Sequence, residues 1–395
     1  MPVPQGYRLA GVYAGIKRNP EKNDVALVVS DRPAAAAGVY TQNLVFAAPV
    51  GLDRGRTPSD RIRAVVVNSG NANACTGERG DRDAARMAEL AAQTCGAQPE
   101  QALVLSTGVI GNFLPMDKIE AGIRRAAESL GSDEAALVSA ARGMLTTDTC
   151  HKLAGRTLEI AGRTIQITGM AKGAAMIGPR MATMLGLILS DAALTPAAAQ
   201  QSLSTAVEDS FNCISVDGHM STNDTVLLLA NGAAGGEPLA GADLAAFQTA
   251  LREVCTELAQ AIPADGEGAT HLVTIDVGGC ANRQAAHAIA KTVAESVLVK
   301  TAIAGADPNW GRIVSAAGYA GVSFNPAGVH LRLNGVLIYE RGAPVAFDEA
   351  AVSQSIRDQR ATSIVLGFSE GEASVRFWTT DLTAEYVRLN ADYRT

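Results

Sequence analysis

An α/β chain with mixed sheets is predicted from three observations. Short apolar runs with period-2 alternation recur along the sequence, separated by segments whose apolar residues return at helical spacing. Hydrophobic residues make up 47% of the 395 positions and charged ones 18%, with 4% aromatics and 39 glycines, which suits a tightly packed α/β protein and not a disordered scaffold. No linker, repeat, coiled coil or low-complexity tract divides the chain, although its length allows two domains.

The elements follow in order. RAVVVNSGNANACTG, from Arg63, reads as a strand ending in a run of Asn, Ser and Gly, the kind of strand end at which α/β proteins hold ligands, though the glycines also suit a tight turn. Arg82 to Cys95 has helical spacing. QALVLSTGVIGNFLP gives a second strand, a Ser-Thr-Gly turn and a stop at Pro115. Two helices are expected over Met116 to Leu130 and Ser132 to Met144, with Ser132 as N-cap of the second. GRTLEIAGRTIQITGMAKG alternates about Ala161-Gly162, the pattern of a β-hairpin. It leads into GMAKGAAMIGPRMATMLGLILSDA, residues 169 to 192, a Gly-dotted loop that runs into a buried strand at Thr183.

A helix is expected from Pro196 to Ser210, then FNCISVDGHMSTNDTVLLLANG with a polar centre between two strand-like flanks. Leu244 to Ile262 is strongly periodic, LVTIDVGG is a strand, and Gln284 to Leu298 is a helix closing on VKTAIAGADPNWGRI. Gly321 to Thr379 reads as short alternating segments with Gly and Pro turns.

Composition narrows the function classes. The formal net charge is −7 and no Lys/Arg cluster tracks phosphates, so no nucleic acid partner is expected. MPVPQGYRLAGVYAGIKRNPEKND shows no charged leader followed by an apolar run, and Thr183 to Leu189 and Val226 to Ala230 are too short to cross a bilayer, so a cytoplasmic protein without a membrane partner is expected. Cys75, Cys95, Cys150, Cys213, Cys255 and Cys280 stand singly, without CxxC or Cys/His spacing. Reduced, partly buried thiols and no metal site are expected. His219 and His271 lie beside polar motifs, but neither is paired with a carboxylate or Cys in a metal or triad pattern.

Thr183 admits two readings. A polar residue at a strand start is ordinary. Alternatively, a cut before Thr183 frees an α-amine with a reference pKa of roughly 8, so that one residue supplies both nucleophile and base. Ala182 leaves the preceding carbonyl open to the hydroxyl, and Gly178-Pro179 supplies a stiff bend upstream.

NSGNANACTG, STGVIGN, TTDT, the K-G-x-x-M-I-x-P-x-M-A-T-M-L pattern, VDGxxSTNDT, KTAIAGADPNWGRI and NADYRT, in this order from about Gly11 to the last residue, resemble the ornithine acetyltransferase family, the self-cleaving glutamate N-acetyltransferases of arginine biosynthesis. The resemblance implies an αββα-type, N-terminal-nucleophile-like sandwich with an additional smaller α/β region. It implies a precursor cut between Ala182 and Thr183 into an α chain, residues 1–182, and a β chain, residues 183–395, which fold together as one unit. A heterotetramer of two α and two β chains is expected.

Thr183 would take acetyl from N-acetylornithine as an ester and pass it to glutamate by a ping-pong route. Thr107 and Gly108 would form the oxyanion hole, where a donor contributes roughly 3 to 4 kcal/mol. Thr146, Lys172, Thr183, Glu267, Asn390 and Thr395 would bind substrate, a fixed Lys and a fixed Glu matching the two charged ends of an amino acid. No cofactor is implied; acetyl-CoA as an alternative acetyl donor stays open. Ala174, Ala175, Arg180 and His219 depart from the family pattern and bear on cleavage and specificity. A self-processing aminopeptidase or amidase, and a binding protein that never cleaves, are the competing readings.

Overall fold

The computed structural model describes residues 1–160, 162–178 and 184–392. β1 (Tyr7–Val12) pairs with the long β2 (Val25–Tyr40); α1 (Ala48–Arg54), β3 (Ser59–Asn71), α2 (Gly77–Gln93), β4 (Ala102–Val109), α3 (Met116–Glu128) and α4 (Glu134–Met144) follow. The hairpin of β5 (Lys152–Ile160) and β6 (Arg163–Lys172) pairs Ile160 with Arg163 across a two-residue turn. Gly162 has φ 73° there, and Ala161 lies outside the described residues. Then come β7 (Leu185–Ser190), α5 (Pro196–Glu208), β8 (Thr225–Ala230) and α6 (Gly241–Ala264).

The large sheet has the order β4-β3-β2-β8-β7-β6-β5, with β1 also on β2, so it takes strands from both sides of the expected cut. It does not lie flat. β2 pairs with β3 through Val25–Val29 and again at Ala34 and Ala36, and with β8 through Ala35–Tyr40; its register with β3 shifts between Val29 and Ala34 and between Ala34 and Ala36. Side chains alternate across this bend. Ala26, Val28, Ala34 and Ala36 join one core with Val67 and Leu105 of β3 and β4, Met170 of β6, Leu187 of β7 and Leu227 of β8. That core lies between the two halves of the folded-over sheet, with α4 closing it through Leu137 and Met144.

On the outer face of one half, Met87 of α2 and Ile119 and Ile123 of α3 pack on Leu27, Val66 and Val104. On the outer face of the other half, Leu203 of α5 and Val254 and Leu258 of α6 pack on Ile165, Ile188 and Leu228. The layers therefore run helix, sheet, sheet, helix, as in an N-terminal-nucleophile-like αββα sandwich.

The smaller α/β region follows: β9 (Leu272–Cys280), α7 (Arg283–Glu295), α8 (Val297–Ala304), α9 (Trp310–Gly318), β10 (His330–Leu333), β11 (Val336–Glu340), β12 (Ala343–Pro344), α10 (Glu349–Asp358), β13 (Ala361–Gly367), β14 (Ala373–Thr380) and α11 (Ala384–Asp392). Its sheet runs β12-β11-β10-β13-β9-β14. Ile289 and Val293 of α7 share a core with Ile275 and Phe377 of that sheet and with α6, which ties the region to the sandwich.

Several expectations are corrected. Ser106-Thr107-Gly108 is not a turn but the end of β4, held in parallel register against Asn68, Ser69 and Gly70. The N-cap of α4 is Asp133, not Ser132, because the Asp133 carboxylate accepts from Ala136 N at 2.8 Å. The helix expected over Gln284 to Leu298 is two helices, broken at Ser296, whose extended backbone (φ −66°, ψ 110°) ends α7 while its hydroxyl caps α8. The flank before VDGHM is a 3-10 turn, Phe211–Cys213, with a single bridge from Ile214 to Trp378. Gly321 to Thr379 also contains α10. All six cysteines are free, but Cys75 and Cys150 are exposed and not partly buried.

Candidate active site

Parallel pairing of β3 and β4 brings the NSGN and STG segments side by side at their carboxyl ends, where open α/β sheets place ligands. Gly108 has φ 134°, and a Cβ there would stand 2.3 Å from the carbonyl carbon of Gly70, so only glycine fits. Asn223 of the STNDT stretch clamps these ends: its Nδ2 donates to Ala72 O at 2.6 Å and to Ser106 O at 2.8 Å.

The strand ends open onto a cavity of about 300 Å³, lined by Thr107, Gly108, Thr146, Lys172, Glu267 and Asn390 among others. Six positions singled out in the sequence, 283 residues apart at the extremes, thus share one cavity. Thr183 and Thr395 lie outside the described residues, as do Ala182 and Arg180.

Lys172 ends β6 with 2% exposure and donates from Nζ to Thr107 Oγ1 at 3.2 Å. Since that hydroxyl oxygen accepts from the lysine, its own O–H remains free to donate into the cavity. Burial lowers the Lys172 pKa; Asp148 opposes that and Lys152 adds to it. Among the described residues no carboxylate forms an ion pair with Lys172, so its buried ammonium is without a counter-charge in contact.

Asp148 organises this corner. Its carboxylate accepts from Gly173 N at 2.6 Å, Thr146 N at 3.0 Å and Lys152 Nζ at 2.7 Å. Burial alone would raise its pKa, but Lys172, Lys152 and the Gly173 N–H outweigh it and hold Asp148 at about 2. Lys152 Nζ also reaches Asp265 at 2.6 Å. Thr146 is thereby fixed by its backbone at the rim.

On the opposite wall Glu267 N donates to Ala174 O at 2.9 Å, and Glu267 Oε2 accepts from Asn390 Nδ2 at 2.8 Å. Asn390 lies on α11 beside Tyr386, whose hydroxyl donates to Asp217 Oδ2 at 3.1 Å. Asp217 also accepts from Met176 N at 2.7 Å and Ile177 N at 2.9 Å, shaping the loop after Lys172.

Of the positions that depart from the family pattern, Ala175 and exposed His219 line the cavity, whereas Ala174 is buried behind it. Asp148, Asp217, Asn223 and Tyr386 were not singled out from the sequence. Asp148 sits inside TTDT, and Asp217 and Asn223 inside VDGxxSTNDT, so the motifs carried a signal; Tyr386 carried none. His271 is occupied elsewhere, its Nδ1 3.0 Å from Asp381 Oδ2. Among the described residues no group of three His, Cys, Asp or Glu could hold a metal ion, and no helix is long and apolar enough to cross a membrane.

The whole chain is similar to known proteins. Arginine biosynthesis bifunctional protein ArgJ of Symbiobacterium thermophilum is 50% identical over 396 residues, 100% of this chain and 98% of that protein. Its namesake in Rhodopirellula baltica is 46% identical, over 100% and 96%. A crystal structure of arginine biosynthesis bifunctional protein ArgJ from Bacillus halodurans superposes with a TM-score of 0.50 at 39% identity, covering 51% of this chain and 96% of that one. The ArgJ family model matches residues 8–395, and the chain belongs to the ArgJ family.

Proposed function

We propose that this protein is a glutamate N-acetyltransferase that cuts itself between Ala182 and Thr183 and moves acetyl from N-acetylornithine to glutamate through an ester on Thr183. The observation that carries the reading is the convergence of Thr107, Gly108, Thr146, Lys172, Glu267 and Asn390 on one cavity. The names of the relatives, bifunctional proteins of arginine biosynthesis, support it. The solved Bacillus halodurans chain supports the cut, because 96% of it matches 51% of this chain and it is therefore about half as long.

In this reading the Thr183 hydroxyl attacks the acetyl carbonyl and gives its proton to the Thr183 α-amine. The Thr107 hydroxyl, polarised by Lys172, and the Gly108 N–H receive the oxyanion. The C–N bond of N-acetylornithine breaks, the amine returns the proton to the leaving nitrogen, and ornithine departs. Glutamate then attacks the ester. Both substrates are amino acids that use the same Lys172 and Glu267, so they take turns in the one cavity. Lys172 and Glu267 meet the carboxylate and the distal ammonium, with Thr146 and Asn390 orienting the chain between them.

The relatives' bifunctional name favours acetyl-CoA as a second acetyl donor to Thr183. A cytoplasmic location, the division into an α and a β chain and a tetramer of two of each rest on the family resemblance. The test is an assay of purified protein with glutamate and either N-acetylornithine or acetyl-CoA. Parallel double-reciprocal lines and a trapped acetyl-Thr183 when glutamate is withheld are expected. Intersecting lines without a trapped ester would point to direct transfer, and release of acetate by water alone to an amidase.

A further inference from the structure

Met184 and Asp224 stand side by side at the starts of β7 and β8. These strands run parallel with Leu185 opposite Thr225, and Thr225 N donates to Met184 O at 3.2 Å. Met184 N in turn donates to Asp224 Oδ1 at 3.1 Å. Asp224 has 0% exposure, and among the described residues its second oxygen, Oδ2, has no hydrogen-bond partner.

A carboxyl that served only to cap β7 would need one oxygen, and burying the other without a partner is unfavourable. The neighbouring Thr41 hydroxyl donates to Ser221 O at 2.8 Å, and the Ser221 hydroxyl, which accepts from Asn223 N at 3.0 Å, is the other neutral donor beside the carboxyl; neither brings a charge to it. The charged group bearing on Asp224 is Lys172 of β6, which forms no ion pair with it; the Thr41 and Ser221 side chains and the Met184 N–H are the other polar groups facing it. The Met184 nitrogen is three covalent bonds, a path of about 4.3 Å, from the nitrogen of residue 183.

We propose that Asp224 is the positioning residue of the nucleophile, Oδ1 fixing the peptide that follows Thr183 and Oδ2 receiving the α-ammonium that forms on Thr183. The proposal rests on the reading of Thr183 as a freed N-terminal nucleophile. Before the cut, residue 183 has an amide in place of an amine, and the buried carboxyl lacks a counter-charge in contact. The cut creates that cation. During transfer the α-amine takes the Thr183 hydroxyl proton as the Oγ–C bond forms, Asp224 stabilises the resulting ammonium, and the proton passes to the ornithine nitrogen as the C–N bond breaks. Buried without a counter-charge in contact, Asp224 is held well above the usual carboxylate range; the ammonium that forms beside it favours the ionised form, which then steadies that cation as the buried Asp of a Ser-His-Asp triad steadies histidine.

The test is Asp224→Asn in the full chain, followed by N-terminal sequencing, a thermal melt and the pH profile of kcat/KM. The variant is expected to cut itself and to melt within a few degrees of the parent. Its kcat should fall roughly tenfold or more with KM changed less than about threefold. The acidic limb should move down by about one pH unit, since losing the anion lowers the pKa of the amine. Asp224→Glu should recover part of kcat and return the limb.

A cut Asp224→Asn enzyme with unchanged kcat and limb would overturn the proposal. So would a folded variant that stays uncut, because Asp224 would then serve the precursor. If Asp224→Asn does not fold, Asp224→Glu decides alone: a displaced limb with lowered kcat supports the role, and parental behaviour removes it. An active Thr183→Ala enzyme would instead remove the nucleophile reading, and is recognised without any Asp224 variant.

Discussion

Lys172 Nζ donates to Thr107 Oγ1 at 3.2 Å although β6 and β4 are five places apart in the order of the large sheet. In a flat sheet that separation is about 24 Å. The bend in β2 closes it, so the Thr107 hydroxyl and the Lys172 ammonium are brought together by the folding-over of one sheet. Thr107→Ala is expected to lower kcat roughly a hundredfold while KM and melting temperature stay close to the parent's, as measured by steady-state kinetics and calorimetry.

Lys172 tests function against stability. Burial holds its pKa below the ordinary 10.5. Between its folded and unfolded pKa the unfolded chain binds more protons, so stability rises with pH through that window, and below it the charged lysine is a net cost to folding. Lys172→Met is therefore expected to melt no lower than the parent at neutral pH, while KM for both amino acid substrates rises tenfold or more, on the order of 1.4 kcal/mol. A lower melting temperature with unchanged KM would mean that Lys172 is structural.

Asp148 has the opposite sign. Its folded pKa of about 2 lies below the ordinary 3.8, so it contributes stability above 3.8 that is lost as pH falls through about 2. The difference corresponds to about 2 kcal/mol. Asp148→Asn is expected to lose stability of that order at neutral pH, leaving Lys152 with Asp265 alone, and to show a shallower acid unfolding transition by circular dichroism.

Gly108→Ala should fail on steric grounds, because the added methyl meets the Gly70 carbonyl carbon at 2.3 Å in a backbone at φ 134°. A melting temperature several degrees lower and loss of transfer are expected. Gly162→Ala has nothing within 4 Å and φ 73°, so it should show only the smaller conformational penalty. Equal melting temperatures for the two variants would contradict the tight packing of β4 on β3.

How far the sequence carried this picture depended on whether local pattern or long-range geometry decided each feature. The β5–β6 hairpin and the helices around Met116, Pro196 and Leu244 were legible, since alternation, Pro at a helix start and 3.6-residue spacing are local. The bend of β2 was not, because VALVVSDRPAAAAGVY gives no sign of where its register with β3 breaks or that only its second half takes up β8. Thr107, Gly108 and Lys172 were legible as motif residues, but that they meet depends on that bend. Asp148, Asp217 and Asn223 hold the site through backbone groups, and a side chain's backbone partners cannot be read from residue types. Tyr386 and Asn390 reach the cavity on α11, a helix that the short NADYRT signature did not reveal.

Everything in the proposed chemistry depends on Thr183 being a free N-terminus. N-terminal sequencing and intact mass of the purified active enzyme measure this directly. Two fragments of similar size, the smaller share of the chain ending at Ala182 and the other beginning TMLGLILSDA, are expected in place of one species of 40.7 kDa, with Thr183→Ala remaining uncut and inactive. A fully active enzyme consisting of the intact 395-residue chain would contradict it.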